Sequence, residues 1–97
     1  MLKDRSLAAL QSSLAALMEQ FVEEKRACGY QYDEPTRILG RFDHFLSDAG
    51  LNGTALPRNL TQQWLSKQAH ESARTHQQRI TVVRQFAKFL CRRGYPA

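Results

Sequence analysis

Apolar residues recur at intervals of three and four along most of this chain, which is the pattern of amphipathic α-helices. In the first segment they are Leu7, Leu10, Leu14, Leu17, Phe21 and Val22. Gly29 follows them, and glycine commonly ends a helix because it adopts the left-handed conformation at little cost. The spacing therefore predicts a first helix over residues 7–28.

A second helix is predicted over residues 33–49, after a short link at residues 30–32. Asp33 is suited to cap its N-terminus, and Pro35 is tolerated in its first turn. Gly50 ends this helix. Its apolar face consists of Ile38, Leu39, Phe42, Phe45, Leu46 and Ala49.

The longest loop pattern in the chain lies at residues 50–60, which are rich in glycine, proline and asparagine. A short third helix is expected after it. Thr61 would cap this helix, which contains Trp64 and Leu65 and ends near residues 69–70.

The fourth and longest helix is predicted over residues 72–93, with Gly94 and Pro96 as its stop. Its apolar face consists of Ile80, Val83, Phe86, Ala87 and Leu90, with Val82 and Phe89 at the edge. Four helices, short links and an apolar fraction of 42% predict an all-α fold. We expect a compact four-helix bundle that forms a single domain over residues 1–97, with the large apolar side chains as its core.

Charge is unevenly distributed along the chain. Its 14 Lys and Arg exceed its 9 Asp and Glu, but residues 1–69 hold equal numbers of both. Residues 70–97 contain Glu71 as their single acid, and their cations are Arg74, Arg79, Arg84, Lys88, Arg92 and Arg93. This asymmetry indicates a polyanionic partner, nucleic acid first, with a solvated basic helix as the alternative.

The polar side of the fourth predicted helix carries no acid. On a helical wheel it collects Arg74, Gln77, Gln78, Thr81, Arg84, Gln85, Lys88 and Arg92. Arg and Lys neutralise phosphates, whereas Gln and Thr can contact base edges in a major groove wide enough for a helix. A helix that is merely soluble normally interleaves Glu with Lys. This face therefore predicts contact with double-stranded DNA.

The second predicted helix offers a weaker basic patch. Arg37, Arg41 and His44 lie roughly opposite its apolar face. The acids Asp33, Asp43 and Asp48 dilute this patch. An ordinary solvated surface explains it about as well as DNA contact does.

No residue pattern indicates catalysis or a cofactor. The possible metal ligands of the chain lack the paired spacing of metal sites. They are His44, His70, His76, Cys28 and Cys91. No glycine-rich phosphate loop is present, and the carboxylates form no acid–base pair. We therefore expect no catalytic residue, no metal and no cofactor, and a chain that is not itself an enzyme.

The location of the chain is expected to be cytoplasmic, without a membrane partner. No apolar run approaches the roughly 20 residues that span a bilayer, and the N-terminus does not have the form of a signal peptide. Cys28 and Cys91 are then expected to be buried or half-buried free thiols, with a disulfide left open.

Three stretches in order resemble the N-terminal core-binding, SAM-like domain of tyrosine recombinases and phage integrases. They are residues 21–30 (FVEEKRACGY), 39–46 (LGRFDHFL) and 79–90 (RITVVRQFAKFL). Each is mostly a helix-core pattern, so the resemblance rests on their order and spacing. It covers residues 14–96, and the sequence departs from many relatives at residues 30–35, where they have a helix start rich in Ser and Thr.

The resemblance implies a helical DNA-binding domain that clamps DNA from one side during DNA integration and recombination, with a catalytic domain closing from the other. Its second and fourth helices would face the major groove at the recombination core site. The positions implied by the family are Thr36, Arg37, Gly40, Arg41, Arg74, Thr75, Gln77, Gln78 and Thr81, to which the basic face adds Arg84 and Lys88. Gly40 departs from the pattern because it has no side chain to offer.

The family's chemistry lies in its C-terminal domain, where an Arg/Lys/His/Arg set activates a phosphodiester and a tyrosine attacks it. That domain would follow Ala97, so this chain is expected to bind DNA without cutting it. Other recombinase protomers in a synaptic complex would be its protein partners. The alternatives are a helix-turn-helix transcriptional regulator, which the long loop at 50–60 disfavours, and a helical protein-interaction module with an acidic partner.

Overall fold

Most of the described residues belong to four α-helices. The computed structural model describes residues 12–66 and 70–95. The helices are α1 (Ala15–Ala27), α2 (Asp33–Asp48), α3 (Arg58–Leu65) and α4 (Ala73–Arg92). The described residues contain no β-strand. The prediction of an all-α fold with four helices is therefore confirmed.

The chain divides into two compact units. The amino-terminal unit, Met1–Gly53, contains α1 and α2, and the carboxy-terminal unit, Thr54–Ala97, contains α3 and α4. Among the described residues, each unit thus contains two helices that follow one another in the chain. The single domain over residues 1–97 stays a prediction.

The start of α1 differs from the prediction of one helix over residues 7–28. Residues 7–11 lie outside the described part of the chain, and residues 12–14 form a turn. The Leu14 amide donates to the Ser12 hydroxyl at 3.1 Å, and the Ser12 amide donates to the Asp43 carboxylate at 2.9 Å. A serine that binds nearby backbone in this way competes with helical hydrogen bonding. The helix therefore begins only at Ala15.

The two helices of the amino-terminal unit run antiparallel. Ser12 and Ser13, just before α1, reach Asp43 in the second half of α2 and the Gly53 carbonyl beyond it. At the other end, the Phe21 and Tyr32 rings meet edge to face with 5.8 Å between centroids. The apolar core of this unit consists of buried residues: Leu14, Leu17, Met18, Phe21, Val22, Ile38, Leu39, Phe42 and Leu46.

The predicted core of this unit needs three corrections. Met18 is fully buried although the spacing did not select it, whereas Phe45 is half-buried and Ala49 is exposed. Ala49 lies at the C-cap of α2, beyond its last helical turn, where the helix no longer faces the core. The predicted residues Leu7 and Leu10 lie outside the described part of the chain.

The N-terminus of α2 is not capped as predicted. Asp33 is the first helical residue, and Tyr32 occupies the N-cap in the left-handed conformation, with φ 62°. Asp33 and Glu34 instead place negative charge in the first turn, where the helix dipole favours it. Burial raises the pKa of the Tyr32 hydroxyl from 10.0 to about 12.

Glycine closes three of the four helices, as the sequence predicts for α1, α2 and α4. After α1, Gly29 has φ 101° and its amide donates to the Arg26 carbonyl, while the Tyr30 amide donates to the Lys25 carbonyl. This pair of bonds is the Schellman motif, which requires the left-handed conformation that glycine adopts most readily. The same pair of bonds follows α2 and α4.

In the carboxy-terminal unit, the N-cap of α3 lies four residues earlier than predicted. Pro57 is its N-cap, in an extended conformation. Thr61 lies inside the helix and its hydroxyl donates to the Pro57 carbonyl at 2.9 Å. The expectation that Thr61 caps α3 is therefore wrong, because its hydroxyl binds a carbonyl four residues back instead of an amide ahead. The helix ends at Leu65, before the predicted end at residues 69–70.

The longest helix, α4, matches its prediction to within one residue at each end. Ser72 is its N-cap and accepts a hydrogen bond from the Thr75 amide at 3.1 Å. Its apolar face is rotated from the prediction, since Val82 and Phe89 are buried rather than at an edge, and Ile80 is only half-buried. Phe86 and Phe89 stack with 6.2 Å between centroids.

Candidate nucleic-acid interface

A buried arginine joins the end of α3 to the start of α4. The Arg79 guanidinium binds the Glu71 carboxylate through two hydrogen bonds, Nε–Oε2 at 2.6 Å and Nη2–Oε1 at 2.9 Å. Its Nη1 donates to the Trp64 backbone carbonyl and its Nη2 also donates to the Ser66 carbonyl. The guanidinium also lies 4.7 Å from the centroid of the Trp64 ring. We call these four residues the Arg79 cluster.

Arg79 therefore satisfies the carbonyls that a helix C-terminus leaves unpaired, and its positive charge suits that end of α3. His76, one turn earlier on α4, acts beside it: its Nε2 lies 2.7 Å from the Leu65 carbonyl. The two side chains fix the start of α4 against the end of α3. They give the first two turns of α4 a defined position within the carboxy-terminal unit.

The Arg79 cluster also determines the sign of the charge that this unit exposes. Both side chains of the Arg79–Glu71 pair are only 6% exposed. Glu71 is the single Asp or Glu among residues 54–97. Because it is buried with Arg79, each charged side chain that this unit exposes among its described residues is a cation.

The exposed face of α4 contains every residue that the helical wheel assigned to it. They are Arg74, Gln77, Gln78, Thr81, Arg84, Gln85, Lys88 and Arg92, joined by Cys91 at one edge. At about 100° per residue they occupy an arc of roughly 140°. The buried side chains of the helix occupy the opposite arc. We call this acid-free surface the α4 face.

Three cations on the α4 face have no bonded partner within the described residues. Neither a hydrogen bond nor an ion pair there holds the side chains of Arg74, Arg84 or Lys88. Arg92 differs, since its guanidinium packs 5.6 Å from the Phe89 ring centroid, as does that of Arg93 at 4.6 Å. Cations without an acidic neighbour can neutralise the phosphates of a bound polyanion without first breaking an internal pair.

Thr75 is exposed at the start of α4, beside the α4 face. Its hydroxyl accepts a hydrogen bond from the Ser72 hydroxyl at 3.1 Å, and its amide completes the N-cap. It is therefore part of the capping structure of the helix.

The basic residues predicted on α2 are arranged differently from those on α4. Arg37 and Arg41 are exposed, but both lie near Glu34, with N–O distances of 2.6 and 3.9 Å. Thr36 is buried, and its hydroxyl donates to the Tyr32 carbonyl at 2.5 Å. The structure therefore brings Arg37 and Arg41 together at the surface and places Thr36 in the interior.

Both cysteines are free and exposed. The expectation of buried or half-buried thiols is therefore wrong. Cys28 is the C-cap of α1, and Cys91 lies in the last turn of α4 on its exposed side, positions where neither side chain faces the core.

Within residues 12–66 and 70–95, the possible metal ligands are scattered and the helices are too polar or too short for a membrane. In those ranges, His, Cys, Asp and Glu side chains form no group of three or more that could hold a metal ion. The helices there lack the combination of length and apolar character needed to cross a bilayer.

Comparison with known proteins adds no relative. No family model, curated protein or solved structure matches this chain. The resemblance to recombinase core-binding domains therefore stands on the three sequence blocks alone.

Sequence reasoning missed the Arg79 cluster. The charge count treats Arg79 as one more cation and Glu71 as a lone acid. They lie eight positions apart in the sequence, at no spacing that predicts an ion pair. One signal was available: at 100° per residue, Arg79 lies among the apolar positions of α4. An arginine on an apolar face indicates a buried partner.

Proposed function

We propose that this chain binds double-stranded DNA through the α4 face, as the core-binding domain of a site-specific recombinase. The observation that carries DNA binding is the α4 face itself. It combines exposed cations with amides and a hydroxyl, and the unit's single acid is buried with Arg79. Phosphate neutralisation supplies affinity, and amides supply hydrogen bonds to base edges.

Duplex DNA fits this face better than single strands do. Proteins that bind single strands stack the bases on exposed aromatic rings. The α4 face carries none, since Phe86 and Phe89 are buried. Duplex RNA fits less well too, because its major groove is too narrow for side chains to read.

The test of DNA binding is the salt dependence of affinity for a labelled duplex, measured by fluorescence anisotropy. If three to five phosphates are contacted, the log–log slope should be roughly −3 to −5. Replacing Arg84 and Lys88 together by Gln should make that slope shallower by about two units. The replacement should also weaken binding at every salt concentration.

The matched control is Arg37→Gln with Arg41→Gln on α2. It removes the same charge from side chains that already lie near Glu34. A smaller effect is expected, and circular dichroism should show unchanged helicity in both double variants. Binding that ignores salt would contradict DNA binding through exposed cations, and a larger effect of the α2 pair would contradict the assignment to α4.

The recombinase part of the proposal rests on the resemblance of residues 21–30, 39–46 and 79–90. It requires a gene that continues past Ala97 into a catalytic domain with paired arginines and a tyrosine nucleophile. Sequencing beyond that codon tests it directly. A stop codon there would refute the recombinase assignment and leave DNA binding to be judged on its own measurements.

A helix-turn-helix regulator remains the main rival. In that motif a turn of three or four residues joins the two helices. Here seven residues separate Leu65, the end of α3, from Ala73, the start of α4. A protein-interaction module with an acidic partner would bind a polyanion such as heparin as tightly as it binds DNA. A competition experiment between heparin and DNA distinguishes this module from a DNA-binding domain.

A further inference from the structure

The α4 face is not uniform along its length. Its first half carries Arg74, Gln77, Gln78 and Thr81, and its second half carries Arg84, Gln85, Lys88 and Arg92. Neutral hydrogen-bonding groups therefore predominate at the start, and cations at the end. Base edges are read by amides and hydroxyls with defined geometry, whereas phosphates need charge alone.

The length of α4 prevents both halves from meeting bases. The helix has 20 residues and so spans about 30 Å. The major groove is about 12 Å wide and curves around the duplex, so a straight helix of this length leaves the base edges along part of its course. One half must then lie over the backbone.

Rigidity favours the first half as the reading half. Ser72 caps it, and Arg79 and His76 fix it against the end of α3. A side chain contributes to base selection only when its backbone is held in place. Recognition helices also commonly present their N-terminal residues to the bases.

Angular position separates the two glutamines of the first half. At 100° per residue, Gln77 and Thr81 lie near the middle of the exposed arc. Gln78 lies at its edge, next to the arc that contains the buried residues Val82 and Phe89. The middle of the arc enters a groove deepest, and the edge faces its wall.

Resting on the proposed function, we infer that Gln77, supported by Thr81, reads an A·T base pair while Lys88 and Arg84 bind phosphates. The side-chain amide of Gln makes a bidentate pair with the N6 and N7 atoms of adenine, and the methyl group of Thr packs on that of thymine. The inferred substrate is a duplex with A·T pairs where the first half of α4 lies.

The experiment compares two labelled duplexes of equal length, one composed of A·T pairs and one of G·C pairs, and measures affinity and salt slope for each. The unmodified chain should favour the A·T duplex by roughly fivefold to a hundredfold. Gln77→Ala should remove most of that preference and leave the salt slope unchanged. Lys88→Ala should make the slope shallower by about one unit and leave the preference unchanged.

The matched control is Gln78→Ala, the same substitution one residue along the same helix. Because Gln78 belongs to the α4 face, its loss should lower affinity for both duplexes equally and so keep the A·T preference. The inference would be overturned if Gln77→Ala and Gln78→Ala lost equal amounts of the A·T preference. It would also be overturned if the unmodified chain bound both duplexes with equal affinity. Either result would leave DNA binding intact. Failure to bind either duplex would instead refute the proposed function.

Discussion

The Arg79–Glu71 pair offers the sharpest test of how this structure is held together. Glu71→Gln keeps the shape of the side chain and removes its charge. The Arg79 guanidinium then stays buried, with the Trp64 and Ser66 carbonyls but without its counter-ion. Removing one partner of a buried ion pair typically costs about 3–5 kcal/mol, because the other charge is left uncompensated.

That cost is large for a chain of this size. A domain of about 100 residues is commonly stable by about 5–15 kcal/mol, so Glu71→Gln should lose a substantial share of it. We expect about 3 kcal/mol, the lower end of the range, since Arg79 keeps two carbonyl acceptors. Urea denaturation followed by circular dichroism measures the loss.

Glu34→Gln is the matched control. The Glu34–Arg37 pair has the same N–O distance, 2.6 Å, but its side chains are 47% and 61% exposed. Exposed pairs are worth about 0–1 kcal/mol, because water screens them and solvates either ion when it is left alone. Both variants thus make the same chemical change, from Glu to Gln. They differ in whether the ion pair that loses its charge is buried or exposed.

A double variant, Glu71→Gln with Arg79→Met, tests the mechanism further. It removes both charges, so we expect it to be more stable than Glu71→Gln alone, although the α3 carbonyls lose their donor. If Glu71→Gln costs no more than Glu34→Gln, the cluster is not the buried anchor described here. A double variant less stable than Glu71→Gln alone would show that the carbonyl contacts, not the charges, dominate.

Three further predictions concern the helix ends. Ser72→Ala removes the acceptor of the Thr75 amide, so thermal denaturation should show a loss of about 1 kcal/mol; an unchanged melting temperature would mean that the cap does not stabilise α4. Gly29→Ala should cost about 1–2 kcal/mol in urea denaturation, because φ is 101° there while no atom lies within 4 Å of an added Cβ; a neutral effect would contradict the Schellman geometry. Since the pKa of Tyr32 is raised in the folded chain, the unfolded chain ionises first as pH rises above 10, and stability should fall between about pH 10 and 12. Tyr32→Phe should remove that part of the decline in pH-dependent unfolding; an unchanged decline in this variant would refute the assignment.

The boundaries that local sequence determines could be predicted. Ser72 and Gly94 specify the two ends of α4 through bonds to residues three to five positions away, so the prediction was accurate to one residue. Gly29 and Gly50 act in the same local way. The exposed polar face of α4 follows from the period of the helix and from nothing else.

The features that were missed depend on residues distant in sequence. The turn at residues 12–14 involves the Asp43 carboxylate, 31 positions away, and no local pattern announces it. The rotation of the α4 apolar face has a similar origin, because burial of Phe89 depends on what packs against the helix. The burial of Thr36 is an exception, since its hydroxyl bonds to the Tyr32 carbonyl only four positions away, at a left-handed N-cap that the sequence did not predict.

The buried position of Glu71 has a kinetic consequence. The carboxy-terminal unit exposes no acid among its described residues. Every exposed charged side chain there therefore adds to a positive electrostatic field, which attracts a polyanion. Such fields raise the rate of encounter by a factor of about 10 to 1,000 at low ionic strength and have less effect on the lifetime of a complex. An acid introduced at Gln85, on the exposed side of α4, should therefore slow association more than it speeds dissociation.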